Sequence, residues 1–261
     1  EDLSIHLIHS RKMNIKAVVT LYAVVDELSG IRLPENLKDS SVSVKKKKMN
    51  LMSLCVHKKD TLRLREEIPL VSNKPNVAEL LWYTAEIRGL DLRPEENVVK
   101  ARGELFLFVM YTGDDENNSL QWTEHSVPFS GEVECNGCTA DMIPNIEAGV
   151  INQNLEVKPD ADGEERIFQA DVVLELEMKL YREEEHEMIL DVYTPFRECI
   201  LKEKKEKLES LLIRNFSKCR LSDRIEVKET QGKILQLCHS QGRVKVDKTQ
   251  IVKDGIQVTG I

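Results

Sequence analysis

Three patterns predict a mainly β fold, built as tandem antiparallel β-sandwich-like domains with one or few short helices. First, Phe168, Ala170, Val172, Leu174, Leu176, Met178 and Leu180 occupy every second position, and Gln169, Asp171, Glu175, Glu177 and Lys179 lie between them. A period of two turns one set inward and the other to solvent, as in a half-exposed antiparallel strand. On a helix the same apolar residues would spread around the whole circumference. Second, Leu105-Phe106-Leu107-Phe108-Val109-Met110-Tyr111 is apolar throughout, which fits a short central strand covered on both faces. Third, residues 45–103 align without gaps with residues 202–260 at a constant offset of 157.

Taken along the chain, the first element is an alternating stretch, with Ile15, Ala17, Val19, Leu21, Ala23 and Val25 in phase. Leu62, Leu64, Ile68 and Leu70 mark another extended segment. Residues 76–82 follow Pro75 and contain Ala78, Glu79, Leu80 and Leu81. Proline is tolerated at a helix start because its missing N–H would be unpaired there anyway, so a short helix or single turn is predicted. Residues 87–92 and 98–101 flank a turn at Pro94-Glu95-Glu96-Asn97. The apolar run 105–111 then meets a turn at Gly113-Asp114-Asp115, with 120–129 as its partner strand. Asp160-Ala161-Asp162-Gly163 turns the chain into the long alternating strand 168–181. Glu183-Glu184-Glu185 is expected to turn it back, with 188–193 as a returning strand stopped by Pro195. Residues 202–212 are rich in helix formers, whereas their repeat counterpart 45–55 is poorer in them and compatible with extended structure.

Identical pairs in the repeat include Lys45/Lys202, Leu51/Leu208, Ser53/Ser210, Leu54/Leu211, Arg63/Arg220, Leu64/Leu221, Ile68/Ile225, Leu80/Leu237 and Gly103/Gly260. Apolar phase is kept at Val56/Ile213, Val77/Ile234, Ile87/Val244 and Val99/Ile256. Ile15-Lys16-Ala17 aligns with Phe168-Gln169-Ala170 at an offset of 153. One unit is therefore of ordinary domain size. The expected organisation is the C-terminal part of a first unit over 1–47, a complete unit over 48–203, and the N-terminal part of a further unit over 204–261. Gly103 leads into an apolar strand whereas Gly260 is followed by one residue, and the chain begins with Glu. A fragment of a longer tandem-domain protein is expected.

Composition narrows the functional classes. The 261 residues are 41% apolar, too apolar for a disordered chain, and carry 37 Lys+Arg against 45 Asp+Glu, net −8. No basic excess exists to neutralise phosphates, so nucleic acid is not an expected partner. No apolar run approaches the length of a membrane span, and no transmembrane segment is expected; no signal peptide is visible. The cysteines are Cys55, Cys135, Cys138, Cys199, Cys219 and Cys238. Cys135-Asn136-Gly137-Cys138 is a lone CxxC without a second pair to complete a zinc site. It follows a strand-like stretch rather than opening a helix, which would lower a thiol pKa. It reads as a turn with two reduced thiols, and a reducing cytoplasm is the expected compartment.

No phosphate-cradling glycine loop, GxSxG or HExxH is present. No catalytic, cofactor-binding or metal-ligating residue is assigned, and no enzyme is predicted. His6 and His9 lie in an extended-looking segment, where a spacing of three separates them. His239, beside Cys238, reads as a structural residue near a strand start. Asp114-Asp115-Glu116-Asn117-Asn118 lacks EF-hand spacing and reads as a polar hairpin loop. Lys45-Lys46-Lys47-Lys48 and the mixed run 202–207 read as solvated linkers, the alternative being a docking strip for an anionic surface. Trp82 and Trp122 are read as core residues.

Several stretches together resemble the SPOCS domain family. They are Ile8-His9-Ser10-Arg11-Lys12, Leu81-Trp82-Tyr83, Val99-Lys100-Ala101-Arg102-Gly103-Glu104-Leu105, and Val109-Met110-Tyr111 with its acidic loop. To these add Val127-Pro128-Phe129-Ser130-Gly131-Glu132-Val133-Glu134, Cys219-Arg220-Leu221-Ser222-Asp223 and Ile234-Leu235-Gln236-Leu237-Cys238-His239-Ser240. The family is that of clostridial spore-envelope morphogenetic proteins of the SipL and SpoVID type. The resemblance implies a non-enzymatic structural and interaction protein of spore coat and envelope morphogenesis, working through repeated β domains on the mother-cell side of the forespore surface, in the cytoplasm. It implies other spore-envelope proteins as partners; self-association is a separate expectation, through exposed sheet edges that could pair with neighbours. In the family a LysM module carries much of the contact with the coat-basement ATPase SpoIVA. No LysM module is found in this sequence, so that contact falls on no residue here. The alternative expectation is a module that binds peptidoglycan or another envelope glycan, which would need an exposed aromatic platform.

Overall fold

The computed structural model describes residues 1–261 except 1, 22, 26, 28, 29, 201, 203, 206, 209, 215–219, 228–232, 243 and 261. Ten strands are described, in the order β1 (Asp2–His9), β2 (Lys12–Val18), β3 (Ser43–Pro69), β4 (Val77–Glu95), β5 (Val98–Gly113), β6 (Leu120–Glu134), β7 (Ile143–Pro159), β8 (Glu165–Tyr193), β9 (Val246–Val252) and β10 (Gly255–Gly260). The mainly-β class holds, but no helix occurs among the described residues.

The chain divides into two compact units. One comprises Glu1–Met49 and His186–Glu203. It contains the β1–β2 hairpin, a backbone bond from Ile189 N–H to Pro34 O at 2.7 Å, and ion pairs Lys46–Glu187 at 3.3 Å and Arg197–Asp39 at 2.5 Å. The other comprises Asn50–Glu185 and Lys204–Ile261. Its centre is a sandwich of two three-stranded antiparallel sheets, ordered β3-β8-β7 and β4-β5-β6.

Period-two patterning builds this core. The inward side chains of β8 (Phe168, Ala170, Val172, Leu174) pack with Leu64 and Ile68 of β3 and Leu155 of β7, against Leu105, Leu107, Val109 and Tyr111 of β5. Further along, Leu176, Met178 and Leu180 meet Val99, Val133, Cys135, Cys138 and Met142. Fully burying a large aliphatic or aromatic side chain contributes about 1.5–3 kcal/mol. Tyr111 and Phe168 meet across the core at 6.1 Å, and the Tyr111 hydroxyl donates to Pro75 O at 3.3 Å, satisfying its polar end. His125 lies on β6 with its ring 6.2 Å from Phe168. Burial pushes its pKa below the ordinary value.

Several expectations need correction. Residues 77–82 are strand, not helix: β4 pairs with β5 there, with register shifts between Val77 and Glu79 and between Leu80 and Trp82. Each bulge adds one residue and breaks the two-residue period, which left the sequence looking like a compact turn. Residues 183–185 do not turn; β8 runs straight through to Tyr193, so 188–193 continue the strand instead of returning. The lysines 45–48 form part of β3 and not a linker. In the first hairpin the strand ends at Val18, and the described residues among 19–25 are not strand; Tyr22 lies outside the described residues. The described residues of 202–212 are not helical, while Glu203, Glu206 and Glu209 lie outside the description, as does Cys219.

The two short hairpins repeat parts of the central unit. β9 and β10 follow the end of β4 and the start of β5 by 157 residues, and their register is the same: Val252↔Gly255 corresponds to Glu95↔Val98, and Lys248↔Thr259 to Asp91↔Arg102. Both hairpins break register directly after that pair. Likewise Ile5↔Ile15 and Leu3↔Ala17 of β1–β2 correspond to Val157↔Phe168 and Leu155↔Ala170 of β7–β8. The equivalent positions differ in cover: Ile15 is 57% exposed and Phe168 0%.

Candidate interaction face

The outer faces of the two sheets are built differently. On β3-β8-β7 the outward residues are charged and paired across strands. Arg63 makes a bidentate contact with Asp171 that Arg65 joins, Lys59 meets Glu175 at 2.8 Å, and His57 meets Glu177 at 3.3 Å. Hydrogen bonds from Arg63, ahead of those from Arg65, bring the Asp171 pKa down to about 2. This is the ordinary solvated face of an antiparallel sheet.

The outer face of β4-β5-β6 is aromatic. Register places Trp82, Met110 and Trp122 in one row across the three strands, Thr84, Phe108 and Glu124 in the next, and Glu86, Phe106 and Ser126 in the third. Phe108 sits 5.3 Å from Trp82 and lies stacked on Trp122 at 6.3 Å. Arg88 lies over Phe106 at 3.3 Å, paired with Glu86, and Lys74 reaches over Trp122 at 5.7 Å while bonding Gln121 at 3.1 Å. Both geometries are cation–π contacts. The tryptophans are therefore not core residues: each projects from the sandwich, and Trp82 is 46% exposed beside exposed Leu81 and Leu120. The double apolar character of 105–111 was legible in the sequence; what covers its outer half was not.

The CxxC forms a turn docked on another turn. Cys138 N–H donates to Cys135 O at 3.0 Å, and Gly137 adopts φ 82°, a conformation that favours glycine. Asn97, itself at φ 60°, ties this turn to the β4–β5 hairpin. Its N–H donates to Cys138 O at 3.0 Å, its carbonyl accepts from Cys135 N–H at 2.8 Å, and its Oδ1 accepts from Gly137 N–H at 2.9 Å. Both thiols are free and buried, and Cys138 Sγ donates to Glu95 O at 2.9 Å. Burial, reinforced by the hydrogen bond with Cys138, raises the Cys135 pKa to about 11. A buried thiol that holds its proton is a poor nucleophile and metal ligand.

The remaining candidates do not converge. His6 lies within β1 and His9 at its end, beside a register shift. The Asp115 carboxylate is taken up by its own loop, through the N–H groups of Asn117 and Ser119 and the Ser119 hydroxyl. Among the described residues no group of three or more His, Cys, Asp or Glu is placed to hold a metal ion. A shallow groove of about 480 Å³, lined by Thr84, Glu86, Asn152, Gln153 and Gln241, runs between the free edges of β4 and β7. There Gln153 Oε1 caps the Ala85 N–H at 3.1 Å. No helix of the described residues is long and apolar enough to cross a membrane.

Residues 76–158, which span β4, β5, β6 and nearly all of β7, match the family model of the SipL SPOCS domain. Over these residues the central unit is similar to a SPOCS domain. The aromatic face therefore lies on SPOCS strands, and SPOCS domains are non-enzymatic modules of sporulation-related protein interaction. No curated protein and no solved structure matches the chain.

Proposed function

We propose that this SPOCS protein is a structural scaffold of spore coat and envelope morphogenesis, acting at the forespore surface on the mother-cell side. The observation that carries the reading is the SPOCS match over the strands that present the aromatic face. Trp, Phe, Met and Arg are the residues enriched at the centres of protein interfaces, and here they share one sheet face. Repetition supports the reading as well, since hairpins equivalent to those of the SPOCS unit precede and follow it in the sequence. The partners are other spore-envelope proteins, including further copies of this chain. The test is a fluorescent fusion of the full-length protein in sporulating cells, with and without residues 76–158. A shell around the forespore that needs this segment supports the proposal; diffuse signal sinks it.

A second reading is binding of peptidoglycan or another envelope glycan. It is favoured by one observation: the tryptophans stand outward on one sheet face with Lys74, Gln121 and Thr84 around them. Retention of the chain on purified peptidoglycan, lost in Trp82→Ala and Trp122→Ala, would favour it over the scaffold reading.

A further inference from the structure

Phe108 points out of the sandwich, yet its exposure is 0%. Its row neighbours on the same sheet, Thr84 and Glu124, are not large enough to close over it. The rings around it are Trp82, Trp122 and His239, and the shortest separation, 4.5 Å, is to His239. His239 alone comes from outside the sheet, and it also meets Trp82 edge-on at 5.4 Å. Its Nε2 is buried and has no hydrogen-bond partner among the described residues. A buried polar atom without a partner is destabilising, so ring packing and not hydrogen bonding at Nε2 holds the imidazole there.

The position of His239 in the repeat gives this contact its meaning. It stands 157 residues after Trp82, in the segment equivalent to the front of β4, and the β9–β10 hairpin that follows has the β4–β5 register. Equivalent positions of two repeats thus touch each other, as happens near the axis of an isologous interface. We propose that the aromatic face of the SPOCS unit is the docking surface for the following repeat of the same chain, with His239 packed over the contacting rings of Trp82 and Phe108. The occupant is the segment around Cys238-His239. The proposal stands independently of where the protein acts in the cell.

The chain has two tryptophans, and both belong to this face, so intrinsic fluorescence reads the site alone. In the full chain, His239→Ala should shift the emission to longer wavelength and increase quenching by acrylamide, because Phe108 and one side of Trp82 lose their cover. His239→Phe should restore both. Trypsin cleavage at Arg224 and Lys233 should be faster in His239→Ala and return to the native rate in His239→Phe. Far-UV circular dichroism is expected to stay unchanged, since the sandwich does not use His239. Native spectrum, quenching and cleavage rates in His239→Ala would overturn the proposal.

Discussion

Asn97 holds two turns together through three hydrogen bonds while sitting at φ 60°. Asparagine tolerates this left-handed region better than residues other than glycine. Asn97→Ala loses the bond to Gly137 and adds backbone strain, with an expected cost of about 1–3 kcal/mol in urea unfolding. Asn97→Gly keeps the conformation and should cost less. Asp171 gives a pH signature. Its pKa is depressed from 3.8 to about 2 by Arg63 and Arg65, so the carboxylate favours the folded state above 3.8, and that contribution fades as pH falls toward about 2. Urea midpoints measured through this window should decline, and Asp171→Asn should remove its share of the decline. His125, depressed by burial, adds a loss at higher pH: stability falls as pH drops below its ordinary value of 6.5 and the unfolded chain takes up the proton. No sequence pattern singled out His125, because its burial depends on β6 pairing with β5.

At the scale of elements, Gly103 shows why the repeat keeps a glycine. A Cβ there would lie 3.1 Å from Arg88 O and from the Phe129 ring. In the second hairpin a Cβ on Gly260 would meet Lys245 O, the equivalent carbonyl. The bulge presses that carbonyl onto the glycine in both places. Gly103→Ala should therefore cost about 1–3 kcal/mol. Gly149→Ala on β7, where nothing lies within 4 Å, should stay within about 0.5 kcal/mol; thermal unfolding of the two variants makes the comparison. The same bulges explain what was legible. β8 and β5 were readable because their period runs unbroken over buried positions. The front of β4 was not, because two register shifts scramble its period. The end of β8 was not, because its acidic run has no apolar phase and takes its extension from pairing. The aromatic face escaped a reading by composition, since a tryptophan in a strand looks the same from either side of the sheet.

For the whole molecule, the argument turns on charge against apolar surface. Net charge is −8, and like-charged chains repel over distances set by the Debye length, about 10 Å at 0.1 M salt and about 3 Å at 1 M. Against this stand apolar residues that their equivalents in the central unit bury: Leu3 is 66% exposed where Leu155 is 5%, and Val258 59% where Ala101 is 0%. A scaffold that self-associates through such surface should do so more strongly as salt rises, because screening removes the repulsion while apolar burial is undiminished. Sedimentation velocity of this chain at low and high salt measures the balance. A sedimentation coefficient that grows with salt and with protein concentration is the expected outcome. A monomer at both salts and at high concentration would remove self-association from the scaffold proposal, leaving assembly to hetero-partners bound on the open side of the aromatic face, at Leu81, Trp82 and Leu120. In that case Trp82→Ala should abolish recruitment to the forespore while the chain remains folded by circular dichroism.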